Sequence, residues 1–324
     1  MSFEALWQRV HSSPYDAEAR RVLADALLEA GDPRGELIVV QSQLAEVDED
    51  ERDPVLRRLA ERERELLDAH GAEWVKGWPF ELWPHFARGF PQRQLAPVTQ
   101  MVKGLARAMD LAPTLNELQF TDEDPRVWAA GFRQFAAEHR GLSLHELTLP
   151  ITFSPGDVAA LVQLQVEALT FTGGALNGLS ELLQLPLKEL ALEFEMGVRV
   201  MPNAMPLRVL INRGNEVPSV PDAPALERLT LDRVHTRVAP ARYPLLRRLE
   251  LLDTALGKKP LLALLQAGHP LVRRLGLRGE KLDVELMAAL ERWPSLEVLD
   301  VRGCTVAARA LDLAVVRRLK LVLR

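Results

Sequence analysis

The chain has 324 residues, 48% of them hydrophobic and 26% charged, with a formal net charge of -5 at pH 7. That is the composition of an ordinary folded protein with material for one large domain or two, and its acidic balance excludes a surface made throughout for nucleic acid while leaving room for a local basic patch. The single cysteine, Cys304, excludes an intrachain disulfide framework and makes a reducing, cytoplasmic setting the default. The N-terminus lacks a basic segment followed by an apolar one, and no stretch approaches about 18 apolar residues free of charge. Secretion and membrane spanning are not expected.

The first seventy or so residues have helical rhythm. Asp16 is placed to cap a helix carrying Ala19, Val22, Leu23, Ala26 and Leu27, and Gly31 supplies the left-handed residue that ends it. Asp32-Pro33 opens a second helix with Leu37, Ile38, Val40, Gln41 and Leu44, which runs into an acidic turn over residues 46–51. A third, from Pro54 to His70, turns a Leu56, Leu59, Leu66, Leu67 stripe inward beneath a solvated Arg/Glu face, and Gly71 is read as its end.

Residues 24–38, Ala-Asp-Ala-Leu-Leu-Glu-Ala-Gly-Asp-Pro-Arg-Gly-Glu-Leu-Ile, together with Gln41, carry a resemblance. The stretch resembles the bacterial repeat-companion domain, a short helical module found beside leucine-rich and similar repeats. Leu23 departs from that pattern where an aromatic residue is usual, and Ala26 where tryptophan is. The resemblance implies repeat architecture downstream and no established biochemical activity. Taken without it, Asp25, Glu29, Asp32, Arg34 and Glu36 form either an acid/base cluster or a helix–turn–helix clamp. The clamp is favoured: Asp32 and Glu36 sit near a helix start, where the dipole favours negative charge, and Arg34 has neighbouring carboxylates within reach.

Residues 72–98 are crowded with Trp74, Trp78, Phe80, Trp83, Phe86 and Phe90 and punctuated by Pro79, Pro84 and Pro91. Such a segment is either an exposed binding platform or packing that joins a helical cap to a repeat array, and packing is preferred because the end of such an array has to be covered. Gly89 to Leu95 is read as containing the first strand.

From there one phrase, L-x-x-L-x-L, recurs. Units begin at Leu115, Leu144, Val166, Leu187, Leu207, Leu226, Leu246, Val272, Leu296 and Val316, a period of 19 to 29 residues with period-2 alternation inside each unit. A proline recurs just ahead of the first leucine, biasing the chain toward an extended entry. Helices are expected in the connectors 124–139, 154–164 (Ser154 as cap), 176–185, 259–267 and 283–293, while Pro202, Pro206, Pro218, Pro221, Pro224 and Pro240 exclude regular helix from the middle connectors. The pattern is similar to leucine-rich repeats. Their asparagine or cysteine ladder position is filled here by Glu123, Thr152, Gly174, Glu195, Asn215, Val234, Thr254, Glu280 and Cys304, so most of the ladder is missing and Cys304 is read as a structural ladder residue rather than a nucleophile. The fold class is an α/β solenoid, an irregular leucine-rich-repeat horseshoe with a parallel β-sheet and an N-terminal all-α cap. Its parts are a helical cap over 1–75, an aromatic and proline-rich transition with the first strand over 76–110, and about ten repeat units over 111–324.

The histidines show no metal-ligand spacing, and Gly173-Gly174 and Gly276-Leu277-Arg278-Gly279 lack the lysine of a phosphate loop. No metal, cofactor or catalytic group is expected. The informative residues alternate with the leucines and so face away from the core. The third residue of each unit runs Glu117, Glu146, Ala168, Glu189, Val209, Arg228, Arg248, Arg274, Val298, Arg318, acidic first and basic last. Glu193 extends the acidic half, and Arg208, Arg213, Arg278 and Arg302 the basic one. Stacked like charges must be neutralised, either within the chain by Glu227, Asp232, Glu250, Asp253, Glu297 and Asp300 or by an acidic protein partner on the concave face. An RNA or other polyanion is the alternative, disfavoured because no aromatic residues are interleaved there for stacking. The expectation is a non-enzymatic protein-binding module; the sequence does not fix an oligomeric state.

Overall fold

The computed structural model describes residues 3–13, 16–46, 54–122, 124–150, 155–172, 185–193, 206–214, 223–234, 240–254 and 256–323. The chain divides into two compact units, Met1–Thr121 and Asp122–Arg324.

The first unit carries helices α1 (Phe3–Ser12), α2 (Ala17–Glu29), α3 (Pro33–Glu46) and α4 (Pro54–Trp74). Strands β1 (His85–Ala87) and β2 (Phe90–Ala96), helix α5 (Val98–Leu111) and strand β3 (Glu117–Phe120) complete it. Asp16 caps α2 by accepting the Ala19 N–H at 2.9 Å, and Asp32 accepts the Arg34 N–H at 2.8 Å to start α3. Gly35 lets these helices touch: a Cβ there would lie 2.7 Å from the Ala24 carbonyl oxygen. Leu6, Val10, Leu23, Leu27 and Ile38 form a core that also takes Phe90 from β2. Gln41, buried on α3, ties the β1–β2 hairpin to the helices; it accepts the Gly89 N–H and donates to the Phe86 carbonyl and to Glu63.

Four expectations change in this unit. The first strand is β1 (His85–Ala87), ahead of the stretch from Gly89 to Leu95, which holds β2. Gly71 does not end α4, which continues to Trp74. Its missing side chain instead admits Trp83, whose ring carbon would stand 3.2 Å from an added Cβ. Arg34 feels the Asp32 charge but makes no ion pair among the described residues; its guanidinium lies over two indoles, 5.3 Å from Trp7 and 5.1 Å from Trp74. Burial between the rings lowers its pKa, and the cation–π contacts replace water. Helix α5 was not anticipated, although Val98, Met101, Leu105 and Ala108 have helical spacing and are buried. Of the aromatic segment, Phe80, Phe86 and Phe90 are core, while Leu82 and Trp83 stay exposed.

The second unit alternates strands with connectors: α6 (Pro125–Glu138), β4 (Ser143–Leu149), α7 (Pro155–Leu161), β5 (Gln165–Phe171), β6 (Glu189–Glu193), β7 (Val209–Arg213), β8 (Arg228–Asp232) and β9 (Arg248–Leu252). It continues with α8 (Lys258–Ala267), β10 (Arg274–Arg278), β11 (Lys281–Leu282), α9 (Val284–Ala288), β12 (Val298–Asp300), β13 (Thr305–Val306), α10 (Ala308–Leu311), α11 (Ala314–Arg317) and β14 (Lys320–Val322). Strands β4 to β10, β12 and β14 pair in that order. From β4 to β14 the paired neighbours are parallel. One strand per repeat, each laid parallel on the last, is an α/β solenoid. The repeat leucines, such as Leu190, Leu210, Leu229, Leu249, Leu275 and Leu299, are buried in line.

After each of five strands one residue turns left-handed: Gly214, Arg233, Asp253, Gly279 and Gly303. Glycine costs nothing there; Arg233 and Asp253 cost roughly 1 kcal/mol each. The ladder position comes next. Val234, Thr254 and Glu280 are buried in it, and the half-buried Cys304 donates its S–H to the Leu277 carbonyl at 3.2 Å. Burial raises its pKa, and the Glu280 charge adds to that against a hydrogen bond from the same residue's backbone, so the thiol stays protonated, as a ladder residue requires. Asp124 and Asp283 open α6 and α9 as expected, Gly257 caps α8, which starts one residue ahead of the expected Lys259, and a 3-10 turn over Ala289–Arg292 ends the 283–293 helix. The helix expected over 176–185, the Ser154 cap, most of the acidic turn, Pro202, Pro218, Pro221, and ladder residues 123, 152, 174, 195 and 215 lie outside the described residues.

Candidate binding face on the parallel sheet

Strand register places Arg228 beside Arg248 and Arg248 beside Arg274. Parallel strands lie about 4.8 Å apart, so three guanidinium stems leave the sheet side by side. The same row starts with Glu146, Ala168, Glu189 and Val209, and continues past Arg274 to Val298 and Lys320. The basic end of the row therefore differs from the expectation in one residue. Arg318 is the C-cap of α11, its guanidinium donating to the Trp293 carbonyl at 3.3 Å; Lys320 takes its place on the sheet.

Two residues further along each strand a second outward row reads Thr230, Glu250, Gly276, Asp300. It neutralises much of the first. Glu250 accepts from Arg248 Nη2 at 2.6 Å and Nε at 2.9 Å, from Thr230 Oγ1 at 2.7 Å and from Arg228 Nη2 at 3.4 Å. Asp300 accepts from Arg302 Nη2 at 2.7 Å and from Arg274 Nη2 at 3.5 Å. Both carboxylate side chains are only 11% exposed. Burial alone would raise their pKa values; the Thr230 and Arg248 hydrogen bonds and the Arg248 and Arg228 charges outweigh it at Glu250, and the Arg302 hydrogen bonds and the Arg302 and Arg274 charges at Asp300, so both carboxyls are held below their ordinary values. Gly276 is part of the device. A Cβ there would sit 3.2 Å from Glu250 Cγ, so the bare strand position makes room for the glutamate to lean across its neighbour.

Arg228 and Arg248 thus both contact Glu250, and Arg274 and Arg302 both contact Asp300. Arg228, Arg248 and Arg274 remain partly open, with side chains 35%, 32% and 18% exposed. Arg278, at the end of β10, is exposed and no carboxylate among the described residues pairs with it. Arg213 pairs with Glu193 across β6 and β7. Arg208 is off the outward row: it precedes β7, exposed, and pairs with Glu227 at 3.0 Å. That pair belongs to a separate ladder along the strand entries, with Lys188–Glu167 at 2.6 Å and Arg273–Glu297 at 3.9 Å.

On the acidic side, Glu189 is exposed and has no ion-pair partner among the described residues. Glu146 is half-buried and takes a long hydrogen bond from Thr148. Glu117 lies on β3 in the first unit, where Arg93 Nε holds it at 2.9 Å and the Gln92 amide also donates to it. Asp232, which the neutralisation argument included, pairs with Arg233 at 3.6 Å rather than with the strip.

Pockets also open in the first unit. One of about 470 Å³ is lined by residues including Arg20, Arg21, Ile38, Ser42 and Arg88. Another of about 410 Å³ contains Gln41, Glu63, His85, Gln92, Arg93 and Glu117, most of whose polar groups bond to one another. No group of three or more His, Cys, Asp or Glu side chains among the described residues is placed to hold a metal ion. No helix among them is long and apolar enough to cross a membrane.

No family model matches the chain, at the helical stretch or at the repeats, and no curated protein matches it. Among solved structures it is similar to an internalin from Listeria monocytogenes, at 12% identity and a TM-score of 0.32 over 66% of this chain and 82% of the internalin. With a likeness so distant, the repeat architecture rests on the ladder itself: the second unit is an α/β solenoid of leucine-rich type because its leucines, register and left-handed turns recur strand after strand.

Proposed function

We propose that the chain is a non-enzymatic interaction module, an adaptor or scaffold of the bacterial cytoplasm, that binds a protein partner with an acidic surface on the later strands of the second unit's sheet. One observation carries this reading. Arg228, Arg248 and Arg274 stand side by side on the outward row, held by the buried carboxylates of Glu250 and Asp300 and still partly open, so the row presents preorganised guanidinium groups. Guanidinium groups already fixed by a carboxylate lose little side-chain freedom when a second one docks, and their forks suit bidentate contact. The resemblance of residues 24–41 to the repeat-companion domain fits such a module.

The test is binding of the full chain to polyglutamate and to single-stranded polyuridine at several salt concentrations. Polyglutamate binding that falls about tenfold or more with Arg248→Glu and Arg274→Glu is expected. Tighter binding to polyuridine with a steep salt slope would favour the polyanion alternative. Binding to neither sinks the reading.

A further inference from the structure

The turn of the first unit's β1–β2 hairpin is made of two left-handed residues, Arg88 at φ 52° and Gly89 at φ 86°, set between the paired Ala87 and Phe90. A two-residue turn with positive φ at both positions suits Asn-Gly or Asp-Gly. Gly89 is required by packing, since a Cβ there would collide with the Ile38 side chain, and Gln41 accepts its N–H. Arginine at 88 has no such reason. It adopts this conformation less readily than asparagine does, and its guanidinium has no hydrogen-bond or ion-pair partner among the described residues. Strain with no structural return is a mark of function.

Arg88 stands in the wall of the pocket of about 470 Å³ between α2, α3 and this hairpin, together with Arg20 and Arg21 of α2 and Ser42 of α3. These groups are not equivalent. Arg20 is 3% exposed and already engaged within the chain. Arg21 and Ser42, like Arg88, have no hydrogen-bond or ion-pair partner among the described residues. Ala24 and Ile38, both buried in the core, give the pocket an apolar wall. Glu18 is the one acidic side chain among the described lining residues, and it is exposed. The volume is that of a small-molecule site. Two guanidinium forks and a hydroxyl beside apolar surface suit an oxyanion carried on an apolar body. We infer that this pocket binds a small organic anion of that kind, a carboxylate or a phosphate, with Arg88 and Arg21 holding the anionic head and Ala24 and Ile38 packing its body. The site lies in the first unit and does not depend on the arginine strip of the second.

Ligand-observed NMR titration of the full chain with phenyl phosphate, phenylacetate and the neutral phenylacetamide tests this. Both anions should bind with a dissociation constant on the order of 1 mM, as ligands of this size do, and the amide at least about tenfold more weakly. The tighter of the two anions identifies the head group. Arg88→Asn is the decisive variant. Asparagine suits the left-handed turn, so the unfolding midpoint should hold or rise while affinity for both anions falls about tenfold. Arg21→Ala, at an exposed position, should weaken both anions as well, whereas Arg278→Ala on the second unit's sheet should change neither. Anion binding that survives Arg88→Asn, or that Arg278→Ala weakens as much, overturns the assignment. An amide bound as tightly as the anions overturns it too, as does inorganic phosphate bound as tightly as phenyl phosphate, or no binding of either anion at about 10 mM.

Discussion

Two rows of charge cross the second unit, one along the strand entries and one on the outward face, and they do different work with similar residues. At the entries, Glu167–Lys188 and Arg208–Glu227 are well-formed ion pairs, but their members are 34% to 56% exposed. On the face, Glu250 and Asp300 are nearly out of water and each is shared by two arginines. An exposed pair gains little over its solvated halves. A buried carboxylate between arginines is different: removing it leaves desolvated charge with nothing to answer it. The entry row is a surface pattern; the face row is built around buried carboxylates.

That contrast is open to measurement. The largest effect is expected for Glu250→Ala, which strands Arg228, Arg248 and Thr230 together; a loss of about 3 kcal/mol in urea unfolding is expected, while Glu227→Ala on the entry row should be indistinguishable from the parent. Asp300→Asn keeps the shape and loses the charge between Arg274 and Arg302, for a cost of about 1–2 kcal/mol. Gly276→Ala should cost about 1 kcal/mol by pushing the Glu250 side chain aside. In a double-mutant cycle most of that cost should vanish in the Glu250→Ala background, since nothing then leans over the strand; a cost that persists would mean strain at Gly276 itself.

The smallest effect is in acid. The Glu250 and Asp300 carboxyls are held below their ordinary values. In the window below the unfolded carboxylate pKa, near 4, the unfolded chain takes up these protons before the folded chain does. Their contribution is therefore complete above that value and is lost as pH falls through the lower folded values. Glu250→Gln should flatten the acid limb of the stability profile. Glu227→Gln should leave it nearly unchanged, although the Arg208 hydrogen bond lowers that pKa too, because exposed charges are screened by water and salt.

The outward row was legible in the sequence, since period-2 alternation commits every second residue of a strand to one face. Arg228, Arg248 and Arg274 fall beside one another for that reason. Arg318 did not, and the cause is instructive. Val316, Leu319 and Leu321 satisfy the repeat phrase, but Leu299 pairs with Leu321 rather than Leu319. A slip of two residues keeps every side chain on its face, so the apolar pattern cannot detect it; only a slip of one would have been punished. Arg34 failed differently: its stacking on Trp7 and Trp74 joins residues far apart in sequence, and no local spacing announces it. Helix α5 carried a periodic signal that proline- and tryptophan-rich neighbours obscured.

By itself the sequence determined the solenoid, because leucines recurring every twenty or so residues with period-2 alternation can bury themselves only by stacking strand on strand. It also determined the order of signs along the outward row. Which carboxylate answers which arginine was decided by the tertiary structure. Arg248–Glu250 and Arg302–Asp300 are local, but the pairs to Arg228 and Arg274 depend on separations of a few ångströms across strands more than 20 residues apart, on Gly276 making room for Glu250, and on how far each carboxylate is removed from water.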